Sequence, residues 1–88
     1  TMALLASAAV YGIPTAQSWM GWCHETGTGV PRNYVAAAAW FRKAADVGDN
    51  GARLGLARLY EQGLGVPEDK VAALALRKAA GAVETPVP

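Results

Sequence analysis

Gly27-Thr28-Gly29-Val30-Pro31 returns 36 residues later as Gly63-Leu64-Gly65-Val66-Pro67. The agreement runs on in both directions. Upstream, Glu25 recurs as Glu61 and Ala16 as Ala52; downstream, Val35-Ala36-Ala37 recurs as Val71-Ala72-Ala73, and Ala39 as Ala75. Self-similarity at a fixed spacing of about 20 to 50 residues marks a repeat architecture.

The chemistry of the stretch says what kind of repeat. A glycine just past a helix adopts the left-handed backbone that closes its last turn. The proline that follows lacks an N–H and cannot continue a helix. Asn33 and Asp69 then stand where a side-chain oxygen accepts from the free N–H groups of a new helix. The unit is therefore helix, Gly-x-Gly-Val-Pro turn, cap, helix. A phosphate-binding loop is excluded, because no Gly-Lys-Ser/Thr follows the glycines and no strand precedes them.

Composition narrows the class. The 88 residues are 17% charged and 52% hydrophobic, which places the chain among globular domains. A net charge of +1 gives no basic footprint for nucleic acid. The single cysteine forms no internal disulfide, and no apolar run reaches the ~20 residues that a membrane-spanning helix needs.

Four helices follow from the pattern. Pro14 to Thr26 has proline at its opening turn, with Ala16, Met20, Cys23, His24 and Gly27 along one face. Gly21 in this helix, and Ala57 at the same place in the next copy, predict close packing of a neighbour. Asn33 to Val47 carries Ala37, Trp40, Phe41, Ala44 and Ala45 at i, i+3, i+4, i+7 and i+8, with Trp40 and Phe41 as two large core anchors. Asn50 to Gln62 repeats the first helix, with Ala52, Leu56, Leu59 and Tyr60 on its core face. Asp69 to Ala80 repeats the second. There, however, Arg42-Lys43-Ala44-Ala45 returns as Arg77-Lys78-Ala79-Ala80 one residue early, which predicts a shifted stripe of Ala75, Leu76, Ala79 and Ala80.

The flanks fit the same scheme. Met2 to Val10 is apolar but lacks the positively charged start of a signal peptide, and Leu4, Leu5, Ala8 and Ala9 register onto Trp40, Phe41, Ala44 and Ala45. The expected organisation is a single domain: the end of a preceding repeat over 1–12, a full repeat over 13–48, a second over 49–81, and an irregular tail over 82–88. The tail either stays irregular or folds back with Val83 and Val87 on the last helix.

The pattern Ala52-x-x-Gly55 through Leu59-Tyr60-x-x-Gly63-x-Gly65-Val66-x-x-Asp69, with Ala37, Trp40 and Lys43-Ala44-Ala45 in the preceding copy, resembles the Sel-1-like repeat, a relative of the tetratricopeptide repeat. The resemblance covers Ala3 to Ala80. It implies an all-α fold, an α/α solenoid with a right-handed superhelix, acting as an adaptor or scaffold without a common catalytic activity or cofactor. Bacterial members often work in the envelope, in secretion or at host contacts, so cytoplasm and periplasm both remain open. His24 stands where the family has tyrosine, Asn33 where it has aspartate, and Leu76 where it has tryptophan. Cys23 alone cannot make the pairing of the family's cysteine-rich branch.

Candidate binding residues follow from helix geometry. On the first helix of each copy, the face opposite the core carries Ser18, Trp22, Glu25 and Thr26, repeated as Leu54, Arg58, Glu61 and Gln62. Related tetratricopeptide arrays line their groove with this face. Ser18, Trp22, Glu25, Leu54, Arg58 and Glu61 are therefore the candidate contacts for a protein or peptide partner; Trp and Arg are types enriched in binding hot spots. The alternative is that Trp22 packs on a neighbour and Arg58 is a solvated charge. Cys23-His24-Glu25 suggests a nucleophile and base, but adjacent helix residues point about 100° apart. Cys23 and His24 also register onto core positions, which favours packing over catalysis. One Cys and one His are too few for zinc, so no catalytic, metal or cofactor residue is assigned. A structural or oligomerisation element, with end-to-end self-association, is the second functional reading.

Overall fold

A computed structural model describes residues 2–81, with side chains from Leu4 onward. Five helices follow one another: α1 (Met2–Val10), α2 (Pro14–Thr26), α3 (Tyr34–Asp46), α4 (Asn50–Gln62) and α5 (Lys70–Ala79). No strand occurs among the described residues. The expected tail over 82–88, with the fold-back of Val83 and Val87, lies outside them.

The turns are built as their chemistry demands. Gly27 and Gly63 take φ of 77° and 68°, and their N–H groups bond back to the carbonyls of Cys23 and Leu59. The N–H groups of Thr28 and Leu64 reach the same two carbonyls at 3.0 and 2.9 Å. Farther on, the N–H of Asn33 bonds to the carbonyl of His24, and that of Asp69 to the carbonyl of Tyr60. Each turn is thereby tied down before the next helix begins. Asn33 and Asp69 then cap α3 and α5 by accepting from the N–H groups of Ala36 and Ala72, both at 3.0 Å. Asp49 does the same for α4, accepting from Ala52 at 2.9 Å.

Consecutive helices pack as neighbours, and α2 also touches α4. Among the described residues, no close backbone approach joins α1 to α3 or α3 to α5. The first helices of the two copies therefore form a close inner layer, and the second helices splay apart outside it. The described residues form an elongated body, 44 × 22 × 20 Å.

Phe41 lies at the centre of the core, 2% exposed. Its ring is flanked by two glycines: a Cβ on Gly21 of α2 would fall 2.7 Å from the ring, and one on Gly55 of α4 would fall 2.6 Å from it. Close packing was expected at Gly21, and Phe41 is the neighbour that requires it. Ala37, Ala38, Ala44, Ala45, Ala52, Leu56 and Leu59 are buried in the same cluster. A second cluster of Ala9, Ala16 and Met20 joins α1 to α2.

Two core expectations are corrected. Trp40 is half-buried and packs at the edge of the α1–α2 cluster, with Lys43 Nζ 5.0 Å from its ring centroid. Phe41 is the buried anchor of α3. In α5 and at its C-cap the inward residues are Ala73, Leu76, Arg77 and Ala80, while Ala75 and Ala79 are exposed. These are the places that Ala37, Trp40, Phe41 and Ala44 occupy on α3. The cap at Asp69 sets the register of α5 as Asn33 sets that of α3, so the early return of Arg-Lys-Ala-Ala does not shift the stripe.

Candidate partner-binding face

The inner layer presents one stripe from α2 and one from α4. On α2, Ser18, Trp22 and Glu25 are spaced by four and three residues, which keeps them in a row. Trp19, one turn before Trp22, joins them: the two rings meet edge to face, centroids 5.2 Å apart and planes at 84°. Trp19 is 51% exposed and Trp22 38%. Two large aromatic surfaces therefore stand in solvent side by side, although a ring of this size gains more than most side chains from burial.

Beside them the chain leaves an open hollow of about 310 Å³, lined by Thr15, Ser18, Trp19, Trp22, Asp49 and Gly51. Its far wall is the capped start of α4. Ser18 and Trp22, expected from the repeat pattern, are both in the wall. Thr15, Trp19, Asp49 and Gly51 were not expected there. Trp19 was legible in principle, being an aromatic residue where the other copy has Gly55, one helical turn from Trp22. Asp49 and Gly51 enter only through the approach of α4 to α2, which no local pattern encodes.

The other expected residues are occupied differently. Arg58 of α4 donates two hydrogen bonds to Glu25 of α2, Nη2 to Oε1 at 2.8 Å and Nε to Oε2 at 3.2 Å. The Glu25 side chain is only 15% exposed and that of Arg58 43%. This bidentate pair links the two copies and holds the inner layer together. Arg77 of α5 grips Glu61 in the same fashion, at 2.7 and 3.1 Å. Donation from Arg77 lowers the pKa of the Glu61 carboxyl from the usual carboxylate value, against a smaller opposing effect of desolvation, and the pairing raises that of Arg77. Leu54 is half-buried and is not part of the hollow's wall. Three of the six candidates thus spend their charge inside the solenoid.

The Cys23-His24-Glu25 run shows packing chemistry. Cys23 is 3% exposed, Glu25 is held by Arg58, and His24 Nδ1 is buried with no hydrogen-bond partner among the described residues. At the place of His24 the next copy has Tyr60, whose hydroxyl accepts from Arg42 at 2.8 Å. No group of three or more His, Cys, Asp or Glu able to hold a metal occurs among the described residues. None of their helices is long and apolar enough to cross a membrane.

Known structures share this arrangement. The crystal structure of a Sel1 repeat protein from Oxalobacter formigenes is 43% identical over 92% of the chain, with a TM-score of 0.87. That of c5321, a protective antigen present in uropathogenic Escherichia coli strains and displaying an SLR fold, is 32% identical over 92%, with a TM-score of 0.88. The chain spans 24% and 17% of the lengths of those two proteins. No curated protein gives a significant match. The family model of the Sel1 repeat matches residues 14–49 and 52–80, the two helical pairs that the turns delimit. With both repeats matched, and the helices laid out as in two solved members, the chain belongs to the Sel1 repeat family, whose all-α repeats generally serve as protein–protein interaction modules.

Proposed function

We propose that the chain binds a protein or peptide partner on the face formed by α2 and α4, with Trp22 and Trp19 as the apolar anchors. The observation that carries this reading is the pair of exposed tryptophans beside an open hollow on the close-packed inner layer. Tryptophan in such a position is a frequent binding hot spot. Ser18 and Leu54 supply flanking contacts. The Glu25–Arg58 pair keeps the two stripes at a fixed spacing, and Glu61 closes the row. Partner capture with the wild-type chain, followed by calorimetric titration of the captured partner, tests the assignment. Trp22→Ala should weaken binding by about 30-fold, equivalent to the ~2 kcal/mol of a hot spot, with helicity retained. Unchanged affinity in Trp22→Ala and Trp19→Ala would remove this face from the site.

A second reading has its own observation. Leu4, Val10 and Tyr11 on and after α1 are 71%, 74% and 85% exposed, an apolar surface that another repeat or another copy would cover. On that reading 1–12 is the end of a preceding repeat, 13–48 and 49–81 are two repeats, and the chain is a structural or oligomerisation element of a longer array.

A further inference from the structure

The hollow beside the tryptophans has a chemical preference. Asp49 alone is charged among the six residues that line it. Asp49 Oδ2 accepts from Ala52 N–H as the helix cap, and no hydrogen bond to Oδ1 occurs among the described residues. The N-terminus of α4 contributes about half a unit of positive charge there. That is less than the full negative charge of the carboxylate, so the wall is net negative. The Glu25–Arg58 pair on the stripe is internally neutralised, and Arg53 of α4 donates to Asn50 Oδ1 and the Ala79 carbonyl and does not line the hollow.

Gly51 gives the hollow a slot. A Cβ built on Gly51 would sit 3.4 Å from Asp49 Oδ2 and 3.5 Å from Ser18 Oγ, with nothing else within 4 Å. Two oxygens from different helices therefore converge on space that a missing side chain leaves open. In the other copy the corresponding residues are Thr15 for Gly51 and Leu54 for Ser18, so the slot belongs to this one junction. The two tryptophan rings, at right angles, stand beside the same space. Tryptophan faces attract cations more strongly than other aromatic rings do.

We propose that this slot receives a cationic side chain, arginine or lysine, of the protein partner, its N–H groups donating to Asp49 and Ser18 and its stem lying on Trp19 and Trp22. This rests on the reading of the α2–α4 face as the docking face and names the chemistry that the face selects. Guanidinium is the better fit, since its planar fork serves two acceptors while its face stacks on a ring.

Two probes separate charge from shape: N-acetyl-arginine methylamide and its neutral isostere, N-acetyl-citrulline methylamide. Each is titrated into the isotopically labelled chain while the indole N–H resonances of all three tryptophans are followed. The arginine probe should shift Trp19 and Trp22 saturably and leave Trp40 still, with the citrulline probe binding at least fivefold more weakly. Asp49→Asn keeps an efficient helix cap while removing the charge, and Gly51→Ala fills the slot at an ordinary contact distance; each should weaken the arginine probe at least fivefold with the melt unchanged or raised. Equal binding of the two probes, no binding of either, or full binding by both variants overturns the cationic slot. The captured partner distinguishes the two levels. Loss of its affinity in Trp22→Ala, with Asp49→Asn and Gly51→Ala unaffected, leaves the docking face standing and removes the slot. Saturable arginine binding, with the partner indifferent to Trp22, does the reverse.

Discussion

The ring of Phe41 fills the space that Gly21 and Gly55 leave open from opposite helices, so a methyl group on either would lie 2.7 or 2.6 Å from it. Replacing glycine by alanine in a helix interior normally stabilises by about 1 kcal/mol. Forcing an extra methyl against a buried ring costs about 1–3 kcal/mol, and here the second effect wins. Gly21→Ala and Gly55→Ala should each lower stability by up to about 2 kcal/mol in urea unfolding, whereas Gly51→Ala should not. Phe41→Ala should cost about 3–5 kcal/mol. Trp40→Ala should cost clearly less, because that ring is only partly enclosed, at the edge of the α1–α2 cluster; equal losses would contradict the assignment of Phe41 as the anchor. Both residues were legible as members of one apolar stripe. Which of them is enclosed depends on where α4 arrives, and a stripe three and four residues wide contains no information on that.

Between elements, the caps and the charge pairs decide register. Asn33 and Asp69 hold equivalent bonds at 3.0 Å, and Asp69→Ala should destabilise by about 1 kcal/mol. The helices, their turns and their caps were readable because each rests on local chemistry: left-handed glycine, proline after the turn, a side-chain acceptor before the helix. The repeat pattern puts α5 one residue out of register because Arg77-Lys78-Ala79-Ala80 matches Arg42-Lys43-Ala44-Ala45 better by identity than by geometry. Arg77 stands where α3 has Phe41 and binds Glu61 across to α4. Since that pairing lowers the pKa of the folded Glu61 carboxyl, its contribution is present above the unfolded value near 4.5 and is lost as the pH falls below it. Melting temperatures between about pH 3 and 6 should therefore fall less steeply in Glu61→Gln than in the wild-type chain. Identical slopes would mean that the pair adds nothing in solution.

At the scale of the molecule, the two ends of the stack differ. The α1 side shows Leu4, Val10 and Tyr11 to solvent, while the α5 side shows Val71 and Leu74, with the Arg77–Glu61 pair where α3 offers a ring to the next helix. Concentration-dependent association, followed by sedimentation, should accordingly be abolished by Val10→Glu with Tyr11→Glu and survive Leu74→Glu. The inner face was legible as a row of positions, from which Ser18 and Trp22 follow directly. The partners of Glu25, Arg58 and Glu61, and the wall formed by Asp49 and Gly51, arise from how α2, α4 and α5 meet. The claim that this inner face takes the partner is tested most directly by following the three indole N–H resonances as the captured protein is added to the labelled chain. Trp19 and Trp22 should shift or broaden while Trp40, on the outer helix α3, holds its position. Movement of Trp40 alone, with Trp19 and Trp22 unmoved at saturation, would contradict it.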